Sequence, residues 1–142
     1  MVNYSEFTML TTKYNQLLLI SDQIKKAVEE SGIKNGVITV ISKHTTTGIT
    51  VNESLECLES DIESFLSRLI QEDYPYSHAR MLKNYGSTAG NATGHIKAHI
   101  TGNHCHFSIL NGLIIKGDAQ DVYFCEFDGP AKRTISISIV GE

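Results

Sequence analysis

A chain of 142 residues is long enough to bury one core and too short for two ordinary domains. Its formal charge of -4 argues against a broad nucleic-acid surface, which needs a basic face, and no apolar run approaches the roughly 18 residues of a membrane span. Three cysteines without CxxC spacing (Cys57, Cys105, Cys125) indicate neither a disulfide framework nor a zinc ribbon, and the first residues lack the basic and apolar regions of a signal peptide, so the expected location is the cytoplasm.

Residues 6 to 20 read as two strands around a polar turn at Lys13-Tyr14-Asn15, the second strand running from Gln16 to Ile20. Ser21 is the expected N-cap of a helix, because its hydroxyl can take a free first-turn amide. Ile24, Ala27 and Val28 then form an apolar stripe, and Gly32 ends the helix in the left-handed region. Val37 to Ile41 is β-branched and reads as a strand buried on both faces. After the segment 44–53, Leu55, Leu58, Ile62, Phe65, Leu66 and Leu69 repeat with helical period and predict a helix over about 54–71. Asp61 falls at the flank of its apolar stripe.

Residues 72 to 92 are polar and irregular, which suggests a functional or mobile loop with a helical turn around His78 to Leu82. Thr93 is placed as the cap of a short helix from Gly94 to Thr101, with Ile96 and Ile100 facing the core and Gly102 ending it. From Cys105 onward the pattern alternates. Asn111-Gly112 is a two-residue hairpin signal, because both residues tolerate positive φ, and Leu113 to Ile115 is the returning strand. Val122 to Phe127 and Thr134 to Val140 form a further pair around Asp128-Gly129-Pro130. The expected fold is α+β: a single compact domain over 1–142, mostly antiparallel sheet layers with packed helices.

Chemistry concentrates in His44-Thr45-Thr46-Thr47-Gly48-Ile49-Thr50-Val51-Asn52-Glu53. An imidazole at a strand end can be a metal ligand or a general acid/base, and Thr hydroxyls with turn amides can hold a phosphate-like anion. Thr also suits strands for steric reasons alone, and Asn52 and Glu53 can equally cap the helix that follows. His95 and His99 are four apart, so they share a helix face, as in helical zinc motifs, but the general-base Glu of those motifs is absent. His104, His106 and Ser108 share a strand face that is either exposed or a subunit contact. Cys105 and Cys125 fall on apolar faces and are expected to be inert. No P-loop, dinucleotide fingerprint or nucleophile elbow is present.

Three segments resemble the YjbQ-like family, small proteins often labelled secondary thiamine-phosphate synthase. They are His44 to Glu53, with its His-Thr-Thr and Asn-Glu; Gly94-His95-Ile96-Lys97-Ala98 with Gly102; and Gly117 to Arg133, including Tyr123-Phe124-Cys125-Glu126-Phe127-Asp128-Gly129-Pro130. The resemblance implies a trimeric α+β protein whose motif histidines gather in a metal- or anion-binding pocket. It implies His44, His95 and Glu53 as catalytic residues. Thr45, Thr46, Asn52, Lys97 and Gln120 would contact a small phosphorylated molecule. A divalent metal, zinc or magnesium, would sit on His44 and His95, with His99, which stands where the family often has a small residue, as an extra ligand peculiar to this chain. The third segment departs from the family: the usual Gly-Thr-Trp-Gln-Gly is here Gly117-Asp118-Ala119-Gln120-Asp121. That implies a more acidic, less apolar pocket in which Asp118 or Asp121 can join a metal site.

The function this implies is thiamine-phosphate synthesis of low rate, joining a thiazole phosphate to a pyrimidine pyrophosphate with release of pyrophosphate. A metal-dependent hydrolase or lyase at a His44/His95 centre and a non-catalytic trimeric metal- or ligand-binding protein are the alternatives.

Overall fold

The computed structural model describes residues 1–80 and 90–142. The elements run β1 (Val2–Leu10), β2 (Gln16–Leu19), α1 (Ser21–Ser31), β3 (Gly36–Ser42), β4 (Thr47–Asn52), α2 (Glu56–Leu69), α3 (Ser77–Arg80), α4 (Ala92–Thr101), β5 (His104–Leu110), β6 (Leu113–Ile115), β7 (Asp121–Glu126) and β8 (Lys132–Gly141). The expected α+β domain is what forms. One sheet has the order β1-β8-β3-β5-β6 and the other β2-β7-β4, and every pairing is antiparallel.

The alternation of β8 explains the larger sheet. Ile135, Ile137 and Ile139 point inward with Ile38 and Val40 of β3, and meet Ile24 and Val28 of α1 and Val122 and Phe124 of β7. The small sheet is covered on its other face too. There Tyr123, Cys125 and Phe127 pack with Leu66 and Ile70 of α2 and its C-terminal end, supported by Ile96 and Ala98 of α4. β7 is thus buried on both faces, which is why its sequence is nearly continuous apolar residues.

Several expected details hold. Gly32 ends α1 at φ 71°, and Asn111 and Gly112 both take positive φ in the β5–β6 turn. Others change. Ser21 does not cap α1; its hydroxyl donates to Asp121 Oδ1 (3.0 Å) and accepts the Val122 N–H (3.0 Å), fastening the helix start to β7. β3 is not buried on both faces: Val37 and Ile41 are exposed, and among the described residues no element packs over that side of the larger sheet. On α2, Phe65 and Leu69 are exposed although they belong to the apolar repeat. On α4, Ile96 is half-buried but Ile100 is 53% exposed, and Lys97 takes the buried position instead. Of the helical turn expected at His78 to Leu82, α3 supplies the first part, and residues 81–89 lie outside the described region.

The thiols follow their burial. Cys57 is exposed, whereas burial pushes the Cys105 thiol up to about 11 and the Cys125 thiol up to about 12. A disulfide-exchange reagent at pH 8 is therefore expected to titrate one thiol rapidly, to lose that phase in Cys57→Ser, and to reach the other two only on unfolding.

Candidate functional site

The segment between β3 and β4 is built by its own hydroxyls. Ser42 and Thr47 hydrogen-bond to each other across the turn, and the Ser42 hydroxyl accepts the His44 N–H (3.4 Å). The Thr46 carbonyl accepts the Phe127 N–H (3.1 Å), and the Thr46 hydroxyl accepts from Arg133 Nη2 (3.1 Å). Thr46 and Thr47 are buried and occupied with holding the turn, and Thr45 is exposed.

His44 is half-buried where the β3–β8 ladder ends. The Thr134 N–H, which would otherwise need a ladder acceptor, donates to His44 Nε2 at 2.8 Å. A backbone N–H only donates, so Nε2 accepts and the proton of the neutral ring resides on Nδ1. Burial holds the His44 pKa below its ordinary value, and the Arg133 charge adds to this against the opposing Glu126 carboxylate. The ring is thus a neutral Nδ1–H donor at a strand end.

Behind it lies a buried ion pair. Arg133 Nε donates to Glu126 Oε1 (2.8 Å) and Nη2 to Oε2 (2.7 Å). The Thr11 hydroxyl (2.7 Å) and the Asp128 N–H (3.0 Å) complete the carboxylate, whose side chain is 0% exposed. Burial alone would raise the Glu126 carboxyl, but these donors and the guanidinium hold it below the usual range. Neither residue stands out in the sequence as a site residue. The available signal was a Glu within an apolar strand, which must find a cation when buried.

The remaining candidates are spread over the molecule. Asn52 and Glu53 sit at the far end of β4, with Asn52 opposite Asp121; Thr47 to Asn52 spans about 17 Å at the usual rise of an extended strand. They do not cap α2, whose N-cap is Leu55; the Asn52 side chain accepts the Glu53 N–H (2.9 Å). Gln120 is exposed, and its carbonyl accepts the Gly117 N–H (2.7 Å), which shapes the loop. The start of α4 packs against the end of β7: a Cβ on Gly94 would meet the Phe127 carbonyl at 2.8 Å. The side chain of His95 is half-buried, with its ring 5.0 Å from that of His78, and His99 is exposed.

Lys97 lies two residues from His95, so it points to a different side of α4. It is 2% exposed and its ammonium donates to Asn15 Oδ1 at 3.3 Å. Burial lowers its pKa, opposed by Glu72 and Glu63. A lysine with a depressed folded pKa binds fewer protons folded than unfolded, so stability rises with pH from the folded value up to the unfolded one. Lys97→Met is expected to raise stability by about 1 kcal/mol at pH 7 and to flatten that alkaline rise in urea titrations.

A cleft of about 410 Å³ between β4, α2 and α4 is lined by Asn52, Asp61, Phe65, Ile100 and Phe127 among others, and one of about 420 Å³ lies between α1 and the β5–β6 hairpin, with Asp121 at its rim. Neither is lined by His44 or His95.

A family model described as UPF0047 protein YjbQ-like matches residues 5–142. The chain belongs to this family. It is 35% identical over 131 residues to UPF0047 protein YugU of Bacillus subtilis (strain 168), which covers 92% of this chain and 94% of the relative. A UPF0047 protein of Methanothermobacter thermautotrophicus is 33% identical over 137 residues, 96% of this chain and 91% of the relative. The crystal structure of a YbjQ-like protein of unknown function from Sulfolobus solfataricus P2 matches with a TM-score of 0.90 at 29% identity, covering 100% of this chain and 99% of that one. A YjbQ/UPF0047 protein from Clostridium acetobutylicum gives 0.86 at 34% identity, covering 96% and 99%.

A divalent metal on His44, His95 and His99 fits this YjbQ-like chain poorly. The His44 Nε2 lone pair already accepts the Thr134 N–H, and among the described residues no three His, Cys, Asp or Glu side chains converge as ligands. Among the described residues no helix is long and apolar enough to cross a membrane.

Proposed function

We propose that this YjbQ-like protein binds a small phosphorylated molecule at the His44–Thr45 corner and forms thiamine phosphate from a thiazole phosphate and a pyrimidine pyrophosphate at a low rate. The supporting observation is the Thr134 N–H bond to His44 Nε2, which leaves the ring proton on Nδ1, the donor that this reading assigns to a phosphate oxygen. In the reaction the thiazole nitrogen attacks the pyrimidine methylene carbon, and the carbon–oxygen bond to pyrophosphate breaks with its electron pair leaving on oxygen. The step requires donors on the departing group more than covalent help. His44 Nδ1–H and the Thr45 hydroxyl are the donors at this corner. The Arg133 charge is already matched by Glu126, which accords with slow turnover.

We further infer a homotrimer in the cytoplasm. Phe65, Leu69 and Ile100 are 55%, 54% and 53% exposed, and apolar surface of this kind favours association. The unpaired thiols suit a reducing compartment. The separation of Glu53 from His44 along β4 favours a second reading, binding without turnover.

Incubating the untagged protein with both precursors and measuring thiamine phosphate by chromatography tests the proposal. Product is expected from the wild type and not from His44→Ala. Binding of the thiazole phosphate without product supports the second reading. Absence of both binding and product refutes the site.

A further inference from the structure

The outer face of the larger sheet carries a second pair of imidazoles that the His44 corner does not use. His104 and His106 alternate along β5, so both project from the face that carries the exposed Val37 and Ile41, and both are exposed. Their rings lie 5.0 Å apart, tilted by 58°.

Each ring is held through Nδ1. His104 Nδ1 bonds to the side-chain carbonyl of Asn103 at 2.9 Å, and His106 Nδ1 to the Thr39 hydroxyl, on the opposed β3 residue, at 3.0 Å. The Asn103 carbonyl only accepts, so His104 Nδ1 donates and Nε2 carries a free lone pair. The Thr39 hydroxyl can accept in the same way and leaves His106 Nε2 free. Metal-binding histidines are typically oriented by such a donation from the other ring nitrogen.

We infer that His104 and His106 form a two-imidazole site for a zinc-like divalent cation, independent of the His44 corner. The spacing agrees with chelation. A zinc–nitrogen bond of about 2.1 Å plus ~1.15 Å from nitrogen to ring centre puts each centroid about 3.2 Å from the metal. For a nitrogen–metal–nitrogen angle between a right angle and tetrahedral, the centroids stand roughly 4.6 to 5.3 Å apart. The observed separation falls inside that interval. Imidazole pairs suit zinc, copper and nickel rather than magnesium or calcium. Water completes the coordination: Glu6, on the same cross-strand row as His104 by way of Ser136 and Ile41, is three strands away and bonded to Lys43.

The His78 and His95 rings stand at the same 5.0 Å, tilted by 54°, so the distance by itself does not single out the β5 pair; the anchoring of each Nδ1 by Asn103 and Thr39 does.

Calorimetric titration of the untagged, chelator-stripped protein with zinc chloride tests the site. Wild type is expected to bind one zinc per chain here, and His104→Ala and His106→Ala are each expected to weaken that binding at least tenfold. Both residues are exposed, so these variants should fold; His104→Gln, with folding checked by circular dichroism, provides a second substitution. The double variant His44→Ala, His95→Ala should retain the site, which separates it from any metal at the proposed functional corner. No zinc uptake by wild type would overturn the inference, as would wild-type affinity in His104→Ala or loss of binding only in the His44/His95 variant.

Discussion

Glu126→Ala is expected to destabilise the protein by about 3–5 kcal/mol, measured by urea unfolding at pH 7, because it leaves a buried guanidinium without its counter-charge. The carboxylate accepts four hydrogen bonds, from Arg133 Nε and Nη2, the Thr11 hydroxyl and the Asp128 N–H. These partners come from β8, the link between β1 and β2, and the turn after β7, so one side chain joins three parts of the chain. The pair also positions the site, since Arg133 reaches the Thr46 hydroxyl and precedes Thr134, whose N–H holds His44. Arg133→Met should be similarly harmful, and the double variant Glu126→Gln, Arg133→Met less harmful than either single, because breaking a buried pair costs more than replacing it. The pH dependence has a definite sign. The folded Glu126 pKa lies below the unfolded one, so its contribution is fully present above the unfolded carboxylate value of about 4.3 and is lost as pH falls through the folded value. The gap between wild type and Glu126→Gln should therefore narrow below about pH 4.

His44→Ala is expected to lower thiamine-phosphate formation by about 100-fold or more, the usual effect of removing one well-placed donor from a developing anion. It should also weaken binding of the thiazole phosphate, with a modest loss of stability because the Thr134 N–H loses its acceptor. His44→Asn restores a hydrogen-bonding side chain and should recover stability more than activity. Since burial and the Arg133 charge lower the His44 pKa, the neutral donor ring persists below the ordinary imidazole range near pH 6.5. The unfolded state takes up that proton first, so this residue's contribution to stability falls as pH drops from about 6.5 toward the folded value. An unchanged rate in His44→Ala would remove His44 from the mechanism.

The local features were legible because they depend on neighbours in the chain. The isoleucines at 135, 137 and 139 alternate onto one face, and Asn111-Gly112 and Gly32 take the positive φ that their residue types permit. What was not legible depends on distant contacts. Lys97 is buried and Ile100 exposed because α4 lies against β4 in an orientation that ten residues with a weak apolar pattern do not specify. Phe65 and Leu69 belong to a clear helical stripe, yet the stripe does not reveal how much of it the same chain covers. For the candidate site, the sequence located His44 but not the atom it presents. That depends on Thr134, ninety residues away, donating to Nε2. The His44-to-Glu53 motif also reads as one unit, whereas the strand between its ends holds them apart.

The proposed function requires His44 to be a neutral ring with its proton on Nδ1, presented to a phosphate oxygen. Long-range proton–nitrogen NMR of the imidazoles at pH 7, assigned by comparison with His44→Ala and repeated with thiazole phosphate added, tests it directly. The expected result is a protonated Nδ1 and an unprotonated Nε2 in the free protein, with the Nδ1 resonance shifting as ligand is added. A proton on Nε2, or a His44 spectrum unaltered by saturating ligand, would contradict it.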